Sequence, residues 1–577
     1  MAVEKLIVDH IDTWTTALQT RSTAGRGSSG KIDLYGIKKL RELILELAVR
    51  GKLVPQDQND EPASELLKRI AAEKAELVKQ GKIKKPRPLP EISEEEKPFE
   101  LPVGWEWTRL GFISNYGFCD KAEPEDVTSD TWILELEDIE KVTSKLLHKV
   151  TFAERPFKSS KNRFSQGDVL YGKLRPYLDK VIVANEPGVC TTEIIPITSY
   201  GNIYPEFLRL LLKAPNFIIY ANSSTHGMNL PRLGTEKAQL AVVELAPIQE
   251  QLRIVSRVNK LMSLCDQLEQ HSLTSLDAHQ QLVETLLTTL TDSQNAEELA
   301  ENWARISEHF DTLFTTEASI DALKQTILQL AVMGKLVPQD PNDEPASELL
   351  KRIAQEKAQL VKDGKMKKQK PLPPISDEEK PFEIPTNWEW VRFGTITTSR
   401  LGKMLDKAKN KGTPKKYIRN VNVQWDNIYI DDVNEMKFED NELSEFILRN
   451  GDLLICEGGE PGRCAIWNKP GEFYFQKALH RVRTFCNIPE KILAIHLKND
   501  SSNGRLANLF TGVTIKHLPG DKLQQYVIPL MPLNEQTNII EKLNLLLDIC
   551  DSLSKEIKSA QQTQLHLPDA LTDAAIN

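Results

Sequence analysis

No GxxxxGK followed by Ser or Thr occurs in the 577 residues, which excludes a P-loop nucleotide site. HExxH is missing, as is a Gly-rich fingerprint opening a helix after a strand, and the ten histidines show no metal-ligand spacing. The Asn-Pro-Pro-aromatic tetrad with which amino-methyltransferases hold a flipped base is also missing. Glu-x-Lys, a fragment of nuclease metal sites, occurs at Glu95–Glu96–Lys97 and Glu378–Glu379–Lys380, in Pro-rich stretches that offer it no rigid strand. The seven cysteines (Cys119, Cys190, Cys265, Cys456, Cys464, Cys486 and Cys550) form no CxxC pair, which argues against a disulfide framework or zinc ribbon and for a reducing cytoplasm. No stretch approaches the ~18 apolar residues of a membrane span. The opening MAVEKLIVDHID is acidic and amphipathic, so a secretory signal is not expected. Positive charge is in deficit too, with 73 Lys/Arg against 82 Asp/Glu, which taken over the whole chain argues against nucleic acid.

What is present is a duplication. Residues 40–111 and 323–394 are identical at 53 of 72 positions at a constant offset of 283. Upstream, Ile7–His10–Ile11–Asp12–Thr13 matches Ile306–His309–Phe310–Asp311–Thr312; the offset differs by 16 around the Gly/Ser segment 22–31, which reads as a flexible linker. Downstream, Pro247–Ile248–Gln249–Glu250–Gln251 matches Pro532–Leu533–Asn534–Glu535–Gln536, and Asn259, Cys265, Asp266 and Leu268 continue to Asn544, Cys550, Asp551 and Leu553. Segments 112–246 and 395–531, which lie between the shared blocks, do not resemble each other. One docking frame carrying two different surfaces explains this plan, whereas a solenoid would need more and shorter copies.

The frame reads as helical. Ile37, Leu40, Ile44 and Leu47 form a stripe at helical spacing, as do Ile320, Leu323, Ile327 and Leu330. Gly51 and Gly334 stand where a C′ glycine ends a helix, with Pro55 and Pro338 beyond. A second helix is predicted over 62–81, followed by a Pro-rich charged connector that can be neither helix nor central strand. Trp105–Glu106–Trp107 and Trp388–Glu389–Trp390 open the variable segments. After each segment comes a longer helix. Leu543, Leu546, Cys550, Leu553, Ile557 and Ala560 follow a heptad, as do Val258, Leu261, Cys265 and Leu268, a stripe that weakens at Ser272, Ser275 and His279 and resumes at Leu282 and Leu286. Cys265 and Cys550 read as core residues.

In the first variable segment, 168–184 reads as strands around a turn, 205–222 as helix and 231–247 as strand; in the second, 415–430 and 473–485 read as strands. Gly167–Asp168 and Gly451–Asp452 each feed an apolar strand, and a turn explains both, so neither aspartate is read as catalytic. Residues 248–322 carry 4 Lys/Arg against 13 Asp/Glu, whereas 155–180 carry 7 against 2 and 400–419 carry 8 against 1. Each variable segment thus has a basic cluster interleaved with aromatics (Phe157, Phe164, Tyr171, Tyr177; Tyr417), the local density that phosphate neutralisation requires. Candidate DNA contacts are Lys158, Lys161, Arg163, Lys173, Arg175, Tyr177, Lys180, His226 and Arg232 in the first segment. In the second they are Arg400, Lys403, Lys407, Lys409, Lys415, Lys416, Arg419, Arg463, His480, Arg481 and Lys516. A solvated basic face is the alternative.

The half-repeat plan, the Gly-Asp-Val/Leu-Leu turn, GDVLYGKLRPYLDK (167–180), the Pro-x-x-Glu-Gln helix start and LAVxGKLVPQ together resemble the specificity subunit of type I restriction–modification systems, over essentially the whole chain. The long repeat ending in Trp-Glu-Trp is similar to the subclass with a helical block before each target recognition domain. The resemblance implies an α+β fold, with two mixed α/β target recognition domains separated by long antiparallel, coiled-coil-like helices in a pseudo-two-fold repeat. It implies a frame block at 1–104, a target recognition domain at 105–247, a central frame at 248–387, a second target recognition domain at 388–532 and a closing helix at 533–577. It further implies a non-catalytic, cytoplasmic subunit reading a bipartite site in double-stranded DNA. Two methyltransferase subunits would bring S-adenosylmethionine and two restriction subunits ATP and Mg, with no cofactor or metal on this chain. A repeat-containing scaffold without DNA specificity, or a self-contained DNA enzyme, would be the rival readings. The first leaves the two basic clusters unexplained, and the second requires activity of the chain alone.

Overall fold

The computed structural model describes residues 3–21, 31–406, 408 and 410–576. Contacts divide the chain into two units, Met1–Ser275 with Ala560–Asn577, and Leu276–Ser559. Each mixes helices with several small sheets.

In the first unit, helices α1 (Val3–Asp9) and α2 (Ile11–Thr16) break at His10, and α2 lies on α3 (Tyr35–Val49). Trp14 is fully buried there. A Cβ on Gly36 would come within 2.3 Å of the Trp14 carbonyl oxygen, so glycine alone lets α2 sit this close. The Gly/Ser segment 22–31 lies outside the described residues except Lys31, which begins a strand paired antiparallel with Gln19–Arg21. The α3 stripe Ile37, Leu40, Ile44 and Leu47 is buried. Each such side chain removed from water contributes roughly 1.5–3 kcal/mol. The helix closes on a Schellman motif, with Lys52 N–H donating to Leu47 O at 2.9 Å and Gly51 in the left-handed region at φ 65°. Next comes α4 (Ala63–Lys79), within a residue or two of its predicted bounds. The connector after it holds only a 3-10 turn at Glu94–Glu96.

The first variable segment contains a five-stranded sheet in the order Lys121–Ala122, Lys161–Phe164, Gly188–Cys190, Trp132–Leu134, Val150–Thr151, with Gly188–Cys190 parallel to Trp132–Leu134. A three-stranded antiparallel sheet sets Val169–Gly172 between Ile194–Ile197 and Val181–Val183. Helices α5 (Pro205–Lys213) and α6 (Pro215–Ser223) follow, as expected. The expected strand over 231–247 is corrected. Thr235–Leu240, a run of good helix formers, is a helix, and only Arg232–Leu233 and Val242–Leu245 are extended. Then α7 runs Ile248–Asp292, and Arg41 on α3 pairs with its Asp266 (2.6 Å) and Glu269 (2.9 Å).

The second unit repeats the frame. In α8 (Glu317–Val332) the stripe Ile320, Leu323, Ile327 and Leu330 is buried, and Lys335 N–H donates to Leu330 O at 2.9 Å past Gly334 at φ 73°. After α9 (Ala346–Lys362) the connector again holds one 3-10 turn, Asp377–Glu379. A four-stranded sheet runs in the order Thr397–Leu401, Leu479–Thr484, Leu453–Cys456, Cys464–Ile466, and a three-stranded one in the order Asn434–Phe438, Thr413–Ile418, Tyr474–Phe475. The last helix, α10, spans Leu533–Ile576. Its Ile539, Leu543 and Cys550 share a core with α8 and with Val283, Leu287 and Leu290 of α7. Leu282 is half exposed, which corrects the extrapolated stripe. A heptad carried across the polar Ser272–His279 stretch drifts by ~20° per seven residues from a 3.6-residue helix, so the buried face falls one residue later. Among the described residues no helix is long and apolar enough to cross a membrane.

Candidate nucleic-acid interface

Each variable segment is spliced into the frame at a joint of identical chemistry. The strand Glu106–Arg109 pairs antiparallel with Val242–Leu245, bringing the start and end of the first segment together. Glu389–Arg392 pairs with Val527–Leu530 in the same way. Immediately beyond, Glu250 is buried and accepts from Trp105 Nε1 (3.0 Å) and Gln56 Nε2 (2.6 Å), while Glu535 accepts from Trp388 Nε1 (2.8 Å) and Gln339 Nε2. Burial pushes both carboxyls above the ordinary range, and these hydrogen bonds oppose it. The Pro-rich connectors are strapped down by arginine. Arg109 forks onto Glu96 at 3.0 Å and also donates to the carbonyls of Pro90, Glu91 and Leu240. Arg392 does the same with Glu379 and the carbonyls of Pro373, Pro374 and Gln525, which holds Glu379 down to about 2.

From this joint the Gly-Asp turn launches the strand that carries the outer surface. Gly167 (φ 87°) and Gly451 (φ 93°) take a conformation that L-residues avoid. Asp168 Oδ2 accepts from Ser165 N–H and Asp452 Oδ2 from Arg449 N–H, both at 2.7 Å. Asp168 also accepts from Thr198 Oγ1, and Asp452 pairs with Arg483, so both carboxylates are engaged in holding the turn.

In the first segment the strand Val169–Gly172 runs into the loop 173–180. Arg175 and Asp179 adopt left-handed backbones (φ 51° and 48°), which are costly for non-glycine residues. The loop is fixed at its base by a buried pair, Lys213 Nζ to Asp179 Oδ2 at 2.6 Å. Burial pulls the Lys213 ammonium below its usual value and pushes the Asp179 carboxyl up to about 6. Its outer side leans on the hairpin 225–233. Arg175 N–H donates to Pro231 O at 2.7 Å, Leu233 N–H to Lys173 O at 3.0 Å, and Arg232 Nε to Glu193 at 3.0 Å. Arg175, Tyr177 and His226 are exposed and Lys173 is half exposed. None of Lys158, Lys173 and Arg175 has an ion-pair partner among the described residues. In the second segment the strand Leu453–Cys456 runs into the turn 457–463, against which the loop 511–517 is bridged by Gly458 and His517.

The candidate cations divide accordingly. Lys158, Lys173 and Arg175 reach solvent unpaired, Arg163 is exposed with Asp126 at 4.0 Å, and Lys416 and Lys516 are exposed in the second segment. Arg400 pairs with Glu445, Lys415 with Glu472 (2.8 Å), Arg419 with Asp432 (2.8 Å) and Arg463 with Glu460 (2.8 Å). Two expectations, Lys403 and His480, are corrected by burial, and two more side chains, Lys161 and Arg481, are turned away from solvent onto protein partners. Lys161 is held by Glu135, and Lys403 is buried between Glu439 and Glu442. His480 is a core residue at 2.8 Å from Leu518 O, its pKa lowered by burial. The Arg481 guanidinium turns inward to the carbonyls of Glu445 and Ile447 and is pulled by burial down to about 10. Lys180, half-buried, donates to Leu136 O at 2.6 Å. Of the interleaved aromatics, Phe164, Tyr171 and Tyr417 are core, and Tyr177 is exposed. Lys407 and Lys409 lie outside the described residues. Charge counting reached His226 and Lys516 but passed over their apolar neighbours on the hairpin tips, Met228 and Leu230, Val513 and Ile515, which stand in solvent. Among the described residues no group of three His, Cys, Asp or Glu is placed to hold a metal.

Residues 385–561 match the model of the type I restriction modification DNA specificity domain. The chain is 54% identical to the type I restriction enzyme EcoAI specificity subunit of Escherichia coli and 48% identical to the EcoEI specificity subunit of the same organism, with all of each chain covered in both cases. It therefore belongs to the family of type I restriction enzyme specificity subunits. A chain solved in work on complex assembly and conformational transition of the type I R-M system shares the fold at a TM-score of 0.50, 17% identity, 83% of this chain and 99% of that one.

Proposed function

We propose that this chain is the DNA-reading subunit of a type I restriction–modification complex. Each variable domain, 105–247 and 388–532, would read one half of an interrupted, asymmetric target, and the duplicated frame would bind two methyltransferase subunits. S-adenosylmethionine belongs to those subunits, ATP and Mg to two restriction subunits joining through them, and this chain contributes no catalytic group. The observation that carries the reading is the joint: a frame 53-of-72 identical holds two unrelated domains through the same strand pair and the same Trp–Glu–Gln contact. Two equal frames suit two copies of one partner, and two unlike domains suit two unlike half-sites. Lys158, Arg163, Lys173, Arg175, Lys416 and Lys516 are the side chains left to meet phosphate, which positions a domain without reading sequence. Half-sites on one face of the duplex lie about 10 base pairs apart, centre to centre.

The test is a transplant of residues 395–531 from a relative that reads another site, followed by mapping of methylated DNA in cells carrying the complete system. One block of the target changes while the other block and the gap stay. Change in both blocks, or in neither, refutes the reading. Neutralising Lys158, Lys173 and Arg175 together lowers the log–log salt slope of binding by about one for each phosphate no longer met.

A further inference from the structure

We propose that each domain reads base edges with an apolar fingertip at the end of a short hairpin, and that the groups it meets are thymine methyls in the major groove. The fingertips are Met228 with Leu230 in the first domain and Val513 with Ile515 in the second. The proposal rests on the reading of the chain as a DNA-recognising subunit and extends it to named base-contacting residues.

In the first domain Thr225 pairs with Leu233 and His226 with Arg232 across an antiparallel hairpin, which turns through Gly227 at φ 93°. Met228 is 102% exposed and Leu230 44%. In the second, Thr511 and His517 exchange two N–H···O bonds of 2.9 Å, and the chain turns through Gly512 at φ 92°. A Cβ on Gly512 would stand 2.2 Å from Ile515 O, so this turn closes only on glycine. Val513 is 97% exposed and Ile515 65%.

Both hairpins stand at the same place in their domains. The first leans on the loop after the Gly167–Asp168 strand, through the Leu174–Arg232 bridge and Arg175 N–H to Pro231 O. The second leans on the turn after the Gly451–Asp452 strand, through the Gly458–His517 bridge and Leu518 N–H to Glu457 O at 2.8 Å. A single exposed apolar side chain needs no explanation. Two on each of two glycine-turned tips, at matching positions of the stretches 227–247 and 512–532 (Gly227 with Gly512, Leu230 with Ile515, Leu233 with Leu518), do need one.

The chemistry of the tips favours DNA. A major groove about 12 Å wide admits a two-stranded ribbon, and the thymine methyl is the one apolar group it offers. Cationic side chains flank the tips: Lys173 and Arg175 beside the first, Lys516 within the second. A protein partner present in two copies would meet like side chains on both domains, as it does on the duplicated frame. These tips share their glycine and their apolar-polar-apolar order and differ in the side chains they carry, Met228 and Leu230 against Val513 and Ile515.

The experiment uses the full complex with co-expressed methyltransferase subunits. Methylation mapping first gives the target, and the probes are duplexes carrying it, with thymine or with uracil, which lacks the methyl, in one block at a time. The double variant M228A/L230A weakens binding to the target roughly tenfold, the scale of one mismatched base pair. It leaves the salt slope unchanged, because neither side chain neutralises a phosphate. It relaxes methylation at A·T pairs of one block, and V513A/I515A does so in the other. Uracil in the affected block weakens the unsubstituted complex to a similar degree and the variant no further. Unchanged affinity and methylation in both variants overturn the proposal. So does a drop in salt slope, which makes the tips phosphate-binding elements. Loss of methyltransferase co-purification with DNA affinity retained makes them a protein interface and overturns it as well. All four side chains lie in solvent, so the thermal midpoints stay unchanged and misfolding is read separately. If the unsubstituted complex shows no sequence-selective binding, the DNA reading itself falls, whatever the variants do.

Discussion

Glu250→Ala tests the joint on which the domain plan depends. Glu250 is buried and accepts from the indole of Trp105, itself buried, and from the amide of Gln56. Hydrogen bonds to a charged acceptor are worth about 1.5–3 kcal/mol each, which sets an upper range of roughly 3–6 kcal/mol. Two effects reduce it. Removing the carboxylate also removes the cost of burying it, the same cost that raises its pKa. Gln56 is exposed enough to turn to water and keeps its bond to Gly51 O at 3.0 Å. What remains is an orphaned indole N–H in a dry site, at about 1–3 kcal/mol, and the void left by the side chain. A net loss of ~3 kcal/mol is expected, against ~1 kcal/mol for Glu250→Gln, which keeps an acceptor for Trp105. Peptide-resolved hydrogen exchange is the assay, because a chain of several cooperative units has no single unfolding free energy. A loss of ~3 kcal/mol speeds exchange about a hundredfold in peptides spanning 105–109 and 242–252, leaving 388–392 and 527–536 unchanged. Glu535→Ala gives the mirror result. Less than a twofold change, or equal acceleration at both joints, would refute the claim that each Trp–Glu–Gln contact closes its own domain.

Two further predictions follow from buried charge. Burial pushes the Glu244 carboxyl, which faces Asn216, from the ordinary value near 4.5 up to about 8. The folded state therefore holds a proton that the unfolded state has lost, and stability of the first unit falls as pH rises between about 4.5 and 8. Glu244→Gln flattens that slope, as read by denaturant midpoints at pH 5, 7 and 9; a midpoint equally pH-dependent in the variant would show that another group is responsible. Arg109→Lys replaces a fork that holds Glu96 and three carbonyls by a single ammonium. Proteolysis in the connector 84–102 is expected to quicken at least tenfold, with the 367–385 connector unaffected, and equal rates in variant and parent would mean that the strap does not hold the connector.

The frame was legible because its determinants are local. Helical spacing fixed the stripes of α3 and α8, a left-handed glycine ended each helix, and Gly-Asp marked each turn. Pairing of cations was not legible, because the acids arrive from elsewhere in the chain: Glu135 for Lys161, Glu439 and Glu442 for Lys403, Asp432 for Arg419 and Glu472 for Lys415. A count over 400–419 sees one acid where the fold supplies several. His480 looked polar in sequence because its neighbours are, yet alternation along its strand turns it inward to Leu518 O. The hairpin tips carry no periodicity, and only exposure in three dimensions separates Met228 from a core methionine.

What the two variable domains have in common is what touches the frame. Both enter on a Trp-Glu-Trp strand, leave on a strand paired with it, and set a helix against the frame helix, Pro205–Lys213 on α3 and Glu490–Ser502 on α8. Gln325 on α8 bonds Asn499 of that second helix at 3.2 Å. Both also spend the Gly-Asp carboxylate on the turn that aims the outer strand. Beyond these points the sheet orders and the loops 173–180 and 457–463 differ, and the tips carry Met228 and Leu230 in one domain and Val513 and Ile515 in the other. Frame contacts are constrained because one altered partner leaves a buried indole or guanidinium unsatisfied, at a cost of a few kcal/mol. The exposed side chains of the outer loops carry no such constraint, since exposed substitutions usually stay within about 0.5 kcal/mol. A domain of this construction is free to change what it reads without changing how it is held, because its entry and exit strands meet at one joint and that joint is closed by residues the frame supplies.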